Sequence, residues 1–168
     1  GVLFACLGVD PIKAYCEVLK GALGGTYGLS EIVTKAIPLT LTALGGLICY
    51  KMLIWNIGAE GQLCLGAIAT AAVVRYCFVD SWPVMFVLMF LAAAIAGGLW
   101  CMIAGVLKAK WNVNETITTL MLNYIGINLS EYFIYGPWKD PMSMGFPFTP
   151  NFPEAARLWV FGTTRIHG

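Results

Sequence analysis

The chain reads as all-α: a polytopic bundle of membrane-spanning helices with one broken-helix element. Three observations predict this. Of its 168 residues, 59% are hydrophobic and 11% charged, a balance far from that of an ordinary soluble domain. The apolar residues are grouped into blocks rather than spread in amphipathic periods. Between two of those blocks stands a polar, glycine-rich interruption, Asn56-Ile57-Gly58-Ala59-Glu60-Gly61-Gln62. A net charge of +1, with no basic run and no basic stripe among aromatics, excludes nucleic acid as a partner.

Taken in order, residues 1–9 are apolar but lack a starting Met and the basic flank of a signal peptide. They are expected to be the stump of a truncated helix, with a lipoprotein cleavage site before Cys6 as the alternative. The last residues, Thr164 to Gly168, close no element, so the chain is expected to be a fragment of something longer. Residues 10–35 mix Lys13, Glu17, Lys20 and Glu31 with apolar residues and the glycines Gly21, Gly24, Gly25 and Gly28. That is the pattern of an amphipathic helix and turn lying at the external interface.

Membrane spans are expected at 36–55, 63–79, 83–107 and 115–135. About 20 residues rising ~1.5 Å each cover the ~30 Å of a bilayer's hydrocarbon, which 36–55 satisfies. The 63–79 segment is shorter and carries Arg75 near one end, where a long side chain can snorkel to the headgroups. No acidic or basic residue interrupts 83–107, and Pro83 suits a first helical turn. Asn114 is a good N-cap for 115–135, with Glu115 placed where a negative charge meets the positive end of the helix dipole.

Residues 136–168 hold Pro137, Pro141, Pro147, Pro150 and Pro153 among Trp138, Phe146, Phe148, Phe152, Trp159 and Phe161. Prolines at that density forbid a continuous helix, and such aromatics settle at membrane boundaries, so an ordered external loop is expected. Lys108 and Lys110 put the 108–113 connection in the cytoplasm, and the lysine-free Asp80-Ser81-Trp82 connection outside. Counting back places the 56–62 break toward the cytoplasmic half.

Two features could carry function. Within a bilayer Glu60 would cost about 2.5–3.5 kcal/mol, and irregular backbone is tolerated there only when buried in protein or facing water. A functional broken helix, as transporters use, and an ordinary cytoplasmic turn are both compatible with that stretch. In 115–135, helical spacing gathers Thr116, Thr119 and Asn123 on one stripe and Tyr124, Asn128, Glu131 and Tyr135 on the next. Such an arc either lines an aqueous route or bonds to neighbouring helices. Interhelical hydrogen bonds in membranes average only about 0.6 kcal/mol, which favours pore lining. Asn56, Glu60, Gln62, Thr116, Thr119, Asn123 and Asn128 are therefore the expected substrate pathway. Ala93, Gly97, Cys101 and Gly105 recur every four residues and should let another helix approach closely.

Catalysis finds little support. The cysteines at 6, 16, 49, 64, 77 and 101 form no Cys-x-x-Cys, the single histidine is His167, and there is no nucleophile elbow, zinc motif or phosphate-binding loop. No cofactor or metal is expected. An ion-coupled secondary transporter, with Glu60 and Glu131 as the coupling carboxylates, is the alternative to a solute permease. A membrane enzyme or a structural subunit is the reading from a different class.

The stretch Trp55-Asn56-Ile57-Gly58-Ala59-Glu60-Gly61-Gln62-Leu63, followed by Leu65-Gly66-Ala67, resembles the permease subunit of bacterial ABC importers for nucleosides and simple sugars. Leu107-Lys108-Ala109-Lys110 with the run Val113 to Ile125 resembles that family's cytoplasmic connection and next span. Gly136-Pro137-Trp138-Lys139-Asp140-Pro141, Phe146-Pro147 and Pro153 to Leu158 resemble its proline-rich external loop. The resemblance implies an all-helical permease of the branched-chain amino acid and ribose importer type, in a bacterial inner membrane. It further implies as partners a second permease, cytosolic ATPase subunits and an extracytoplasmic substrate-binding lipoprotein. Relatives of that kind run to roughly twice this length, and the segment that docks on the ATPase lies in the half not present.

Overall fold

The computed structural model describes residues 4, 6, 8, 10–144 and 146–158. Among these residues it is built from helices alone, without a strand: α1 (Pro11–Leu23), α2 (Thr26–Lys51), α3 (Ala59–Tyr76), α4 (Trp82–Trp111) and α5 (Glu115–Tyr135), then a 3-10 turn at Glu154–Ala156. Apart from Phe4, Cys6 and Gly8, the helix expected over 1–9 lies outside the described residues. So do residues 159–168 of the expected loop, with Trp159, Phe161 and His167. The contacts divide the chain into two compact units, residues 1–43 with 158–168, and residues 44–157.

In the first unit, α1 starts where Asp10 caps it: the carboxylate accepts from the Ile12 amide at 2.9 Å and Pro11 occupies the first turn. The chain bends at Gly24-Gly25, and α2 then begins at Thr26. This corrects the expected boundary, because Thr26–Lys35, assigned to the interfacial segment, is continuous with the following apolar helix. Glu31, Lys35 and Pro38 all lie within this helix. Proline's fixed φ is compatible with helix and its ring removes one hydrogen bond, so α2 continues through it.

At its other end α2 stops at Lys51, four residues before the expected Trp55. The Ile54 amide donates to the Cys49 carbonyl and the Leu53 amide to the Tyr50 carbonyl, both at 3.0 Å. These are the two bonds of a Schellman stop, with Leu53 at φ 57° in the left-handed position that glycine usually takes. A leucine there is a strained way to end a helix.

The second unit is organised around α3. It packs along α4 and is crossed by α5, while α4 and α5 touch less extensively. Expected at 63–79, α3 runs from Ala59 to Tyr76, and α4 extends the expected 83–107 to Trp82–Trp111. The bounds of α5 coincide with those expected, for the reason anticipated: Asn114 Oδ1 accepts from the Ile117 amide at 3.2 Å. Between α4 and α5 the turn is tight, with Asn112 left-handed at φ 51° and Lys108 paired with Glu115 across it at 2.9 Å.

At the far end of α4 the loop after α5 folds back as a lid over a small core. Val74, Met85 and Ala156 are buried there, with Phe152 packed beside them. Trp138 is buried, lies 4.4 Å from the Phe133 ring centroid, and donates Nε1–H to Tyr76 Oη at 3.4 Å. Trp82 Nε1–H donates to the Arg157 carbonyl at 3.0 Å. Among the described residues, two helices, Thr26–Lys51 and Trp82–Trp111, are long and apolar enough to cross a bilayer, at about 39 and 45 Å by the usual rise.

Replacing Leu53 with glycine should raise stability by up to about 1.5 kcal/mol. That is the ~1–2 kcal/mol left-handed penalty less the ~0.4–1 kcal/mol of unfolded-state freedom that glycine adds. The thermal midpoint of the full-length protein in detergent measures it, and a lower midpoint would mean that the Leu53 side chain is worth more than its strain.

Candidate functional site

The non-helical stretch between α2 and α3 covers residues 52–58, so the polar interruption is only partly irregular. Ala59, Glu60, Gly61 and Gln62 are already in the first turn of α3, a correction to their expected place within a break at 56–62. A first helical turn accommodates this sequence well, since Glu60 places its negative charge at the positive end of the helix dipole.

Helix starts leave backbone amides without partners, and α3 cannot supply its own cap, because its N-cap residue is Gly58. Three side chains bond the amides of this stretch. Asn56 Oδ1 accepts from the Gly58 amide at 2.9 Å. From α5, Thr119 Oγ1 accepts from the Ile57 amide at 3.1 Å and Asn123 Oδ1 accepts from the Gly61 amide. Asn56 is tied further, through Nδ2 to Cys49 Sγ at 3.8 Å and through Oδ1 to Gln62 Nε2 at 3.4 Å.

Glycines make this contact possible. A Cβ at Gly58 would lie 2.9 Å from the Thr119 carbonyl oxygen, one at Gly61 2.8 Å from Asn123 Cα, and one at Gly126 2.9 Å from Gly61 Cα. Backbone therefore meets backbone where α3 starts against α5. Thr119 and Asn123 are the fifth and ninth residues of α5, so the contact lies roughly 6–12 Å along that helix from Glu115.

The expected pathway residues thus separate. Asn56, Gln62, Thr119 and Asn123 are brought together; Thr119 is buried and the other three half-buried. Thr116 is half-buried one turn before Thr119, whose hydroxyl reaches its carbonyl at 3.2 Å. Glu60 is exposed on the first turn of α3. Asn128 is exposed farther along α5, donating to the Tyr124 carbonyl at 2.7 Å, and is not brought to the break.

The small-residue row of α4 divides as well. Ala93 faces Gly66, and Gly97 faces the Gln62 carbonyl, where an added Cβ would come within 3.3 Å. Cys101 is half-buried, and Gly105 is exposed with nothing within 4 Å of an added Cβ. Gly126 was not anticipated from sequence. Its signal is a lone glycine in the interior of a polar-faced helix, where it costs about 1 kcal/mol relative to alanine unless something needs the space. Among the described residues no cluster of histidine, cysteine or carboxylate side chains could hold a metal ion. A cavity of about 350 Å³ lies at the opposite end of α3, beneath the loop, between Arg75, Asp80, Met85, Trp138 and Phe152. None of the expected pathway residues lines it.

A family model described as branched-chain amino acid transport system, permease component, matches residues 28–165. The chain belongs to this family. Among curated relatives of the permease-family chain, a glucose ABC transporter permease protein of Haloferax volcanii is 41% identical over 94% of this chain and 40% of its own length. A guanosine ABC transporter permease protein of Bacillus subtilis is 36% identical over 90% of this chain and 46% of its own. A nucleoside ABC transporter permease protein of Lactococcus lactis is 30% identical over 85% and 39%. The permease-family chain therefore spans less than half the length of these relatives. No solved structure matches it. Family membership implies a membrane location, which accounts for the large apolar side chains exposed on α2, α4 and α5.

Gly126→Ala should cost about 1–3 kcal/mol, because the methyl must displace the Gly61 backbone rather than a flexible side chain. Gly98→Ala, where an added Cβ meets nothing within 4 Å, should be neutral or stabilise by up to about 1 kcal/mol. Thermal unfolding of the two full-length variants compares them, and equal midpoints would mean that the α3–α5 approach is looser than described.

Proposed function

We propose that the chain is part of a permease subunit of an ATP-driven importer, carrying nucleosides or related simple sugars across a bacterial cell membrane without chemical change. Membership in the permease family, with relatives named for glucose, guanosine and nucleosides, carries this reading. ATP hydrolysis would belong to separate cytosolic ATPase subunits. A second permease would complete the route, and an extracytoplasmic lipoprotein would deliver the solute.

In this arrangement α2, α3, α4 and α5 each cross the membrane. The Lys108–Asn114 turn is cytoplasmic, and the loop from Gly136 is external together with α1. Two helices meet the length and polarity requirements outright; the shorter α3 and the more polar α5 would cross packed against protein. The route passes the exposed side of the α3 start and the polar face of α5, with Glu60 as its most prominent ionisable group. ATP binding would rock two such permeases between outward- and inward-open states around it. The ion-coupled alternative, with Glu60 and Glu131 as coupling groups, loses its support once the chain is placed among ABC permeases.

Uptake of labelled nucleoside or glucose by cells carrying the full-length permease and its ATPase is the test. Uptake should stop on ATP depletion and persist when a protonophore collapses the ion gradient; the reverse pattern would select the ion-coupled alternative. Glu60→Ala should lower the maximal uptake rate about tenfold or more, the effect of losing roughly 1.4 kcal/mol from a rate-limiting step. Wild-type uptake in that variant would take Glu60 out of the route.

A further inference from the structure

We propose that Thr119 and Asn123 are positioning residues and not solute contacts: acting from α5, they cap α3 in trans and hold the turn that carries Glu60. The proposal rests on the permease reading above and assigns two of its polar residues a different task.

The third residue of a helix is where an N-cap side chain normally delivers its hydrogen bond. In α3 that residue is Gly61, and its amide is bonded by Asn123 Oδ1 from another helix. The cap position itself, Gly58, has no side chain and no room for one, since a Cβ would lie 2.9 Å from the Thr119 carbonyl oxygen and 3.2 Å from Thr119 Cβ. The cap has been moved to α5 because the backbones meet too closely for α3 to carry its own.

Thr119 is committed in the same way. Its hydroxyl accepts from the Ile57 amide at 3.1 Å and has the Glu115 carbonyl at 2.8 Å as acceptor for its proton. At 3% exposed it offers no surface to a passing solute. Removing either oxygen would leave a backbone amide without a partner where water is scarce, so the helix start would fray or shift. Glu60 sits between Ile57 and Gly61 in sequence and is exposed. The two α5 side chains therefore decide where its carboxylate stands without touching what it meets.

Aspartate and asparagine are equal as cap acceptors, whereas an added charge at a neutral solute contact would change solute affinity. Asn123→Asp therefore separates the two roles, and Thr119→Ser keeps the hydroxyl at its site. In the full-length permease with its ATPase, both should keep maximal uptake rate and half-saturation concentration within about twofold of wild type. Both should also keep the hydrogen-exchange protection of the Ile57 and Gly61 amides. Asn123→Ala and Thr119→Val should speed that exchange about fivefold or more, the factor corresponding to a cap of ~1 kcal/mol. They should lower the maximal rate by a similar factor at unchanged half-saturation.

The proposal is overturned if Asn123→Asp changes the half-saturation concentration while the amides stay protected, or if Asn123→Ala leaves their exchange unchanged. Should the alanine and valine variants fail to assemble, the aspartate and serine variants decide alone: wild-type protection and kinetics support the cap, and altered half-saturation refutes it. A wild-type protein that moves no nucleoside or sugar would sink the permease reading and leave the exchange comparison standing.

Discussion

A chain that leaves one apolar helix and starts another exposes backbone amides, and in a setting poor in water those amides must find partners in the protein. The approach of α5 to the start of α3 answers that constraint. Gly61 and Gly126 let the two backbones come together, and the closeness brings Thr119 and Asn123 within reach of the Ile57 and Gly61 amides. Asn56 bonds the amide between them from within the same stretch. Without the glycines the side chains would not reach; without the side chains the glycines would bring together two surfaces with unmet hydrogen bonds.

The position of α4 follows from the same contact. Gly97 packs on the Gln62 carbonyl one turn from the break, and Ala93 packs on Gly66 a turn beyond. Trp100 Nε1–H reaches the Leu122 carbonyl on α5 at 3.3 Å. The three helices thus share one small-residue seam near the end marked by the Lys108–Glu115 pair. At the opposite end the seam is replaced by larger side chains: Met85, Val74 and Trp138 are buried under the proline-rich loop and line the cavity there. Tight backbone contact at one end and side-chain packing at the other give α3 two different neighbours along its length.

Little of this unit is buried in the ordinary sense. Of the 30 residues of α4, only Met85 and Ala104 are buried, and large apolar side chains are exposed along α2, α4 and α5. In water such surfaces would associate; among lipid tails or further helices they are at home. Polar groups are found inside as well as on the exposed faces, and the buried Thr119 and half-buried Asn123 are spent on backbone bonds. An arc of polar residues in a membrane helix can thus be structural over one turn and open to a route over the next.

Helix type and membrane affinity were legible in the sequence because both follow from local properties, apolar block length and the scarcity of charge. The start of α5 was legible for a similar reason: Asn114 caps Ile117 through a bond spanning three residues. Where the outcome depended on distant partners, sequence was less informative. α2 starts at Thr26, directly after the turn that the glycines predict, so the later part of 10–35 joins the apolar helix through Pro38. Glu60 and Gln62 entered a helix because α5 supplies the cap that Gly58 cannot.

Composition and spacing alone determined that this chain is helical, apolar and interrupted near residue 56, and which polar residues share a face of α5. Only the tertiary structure decided which of them face inward. Thr119 meets Ile57, and Asn123 meets Gly61, across a separation of 62 residues in each case. Periodicity places a residue on a helix but does not choose the neighbour, and the neighbour here is selected by how closely two glycine backbones can approach.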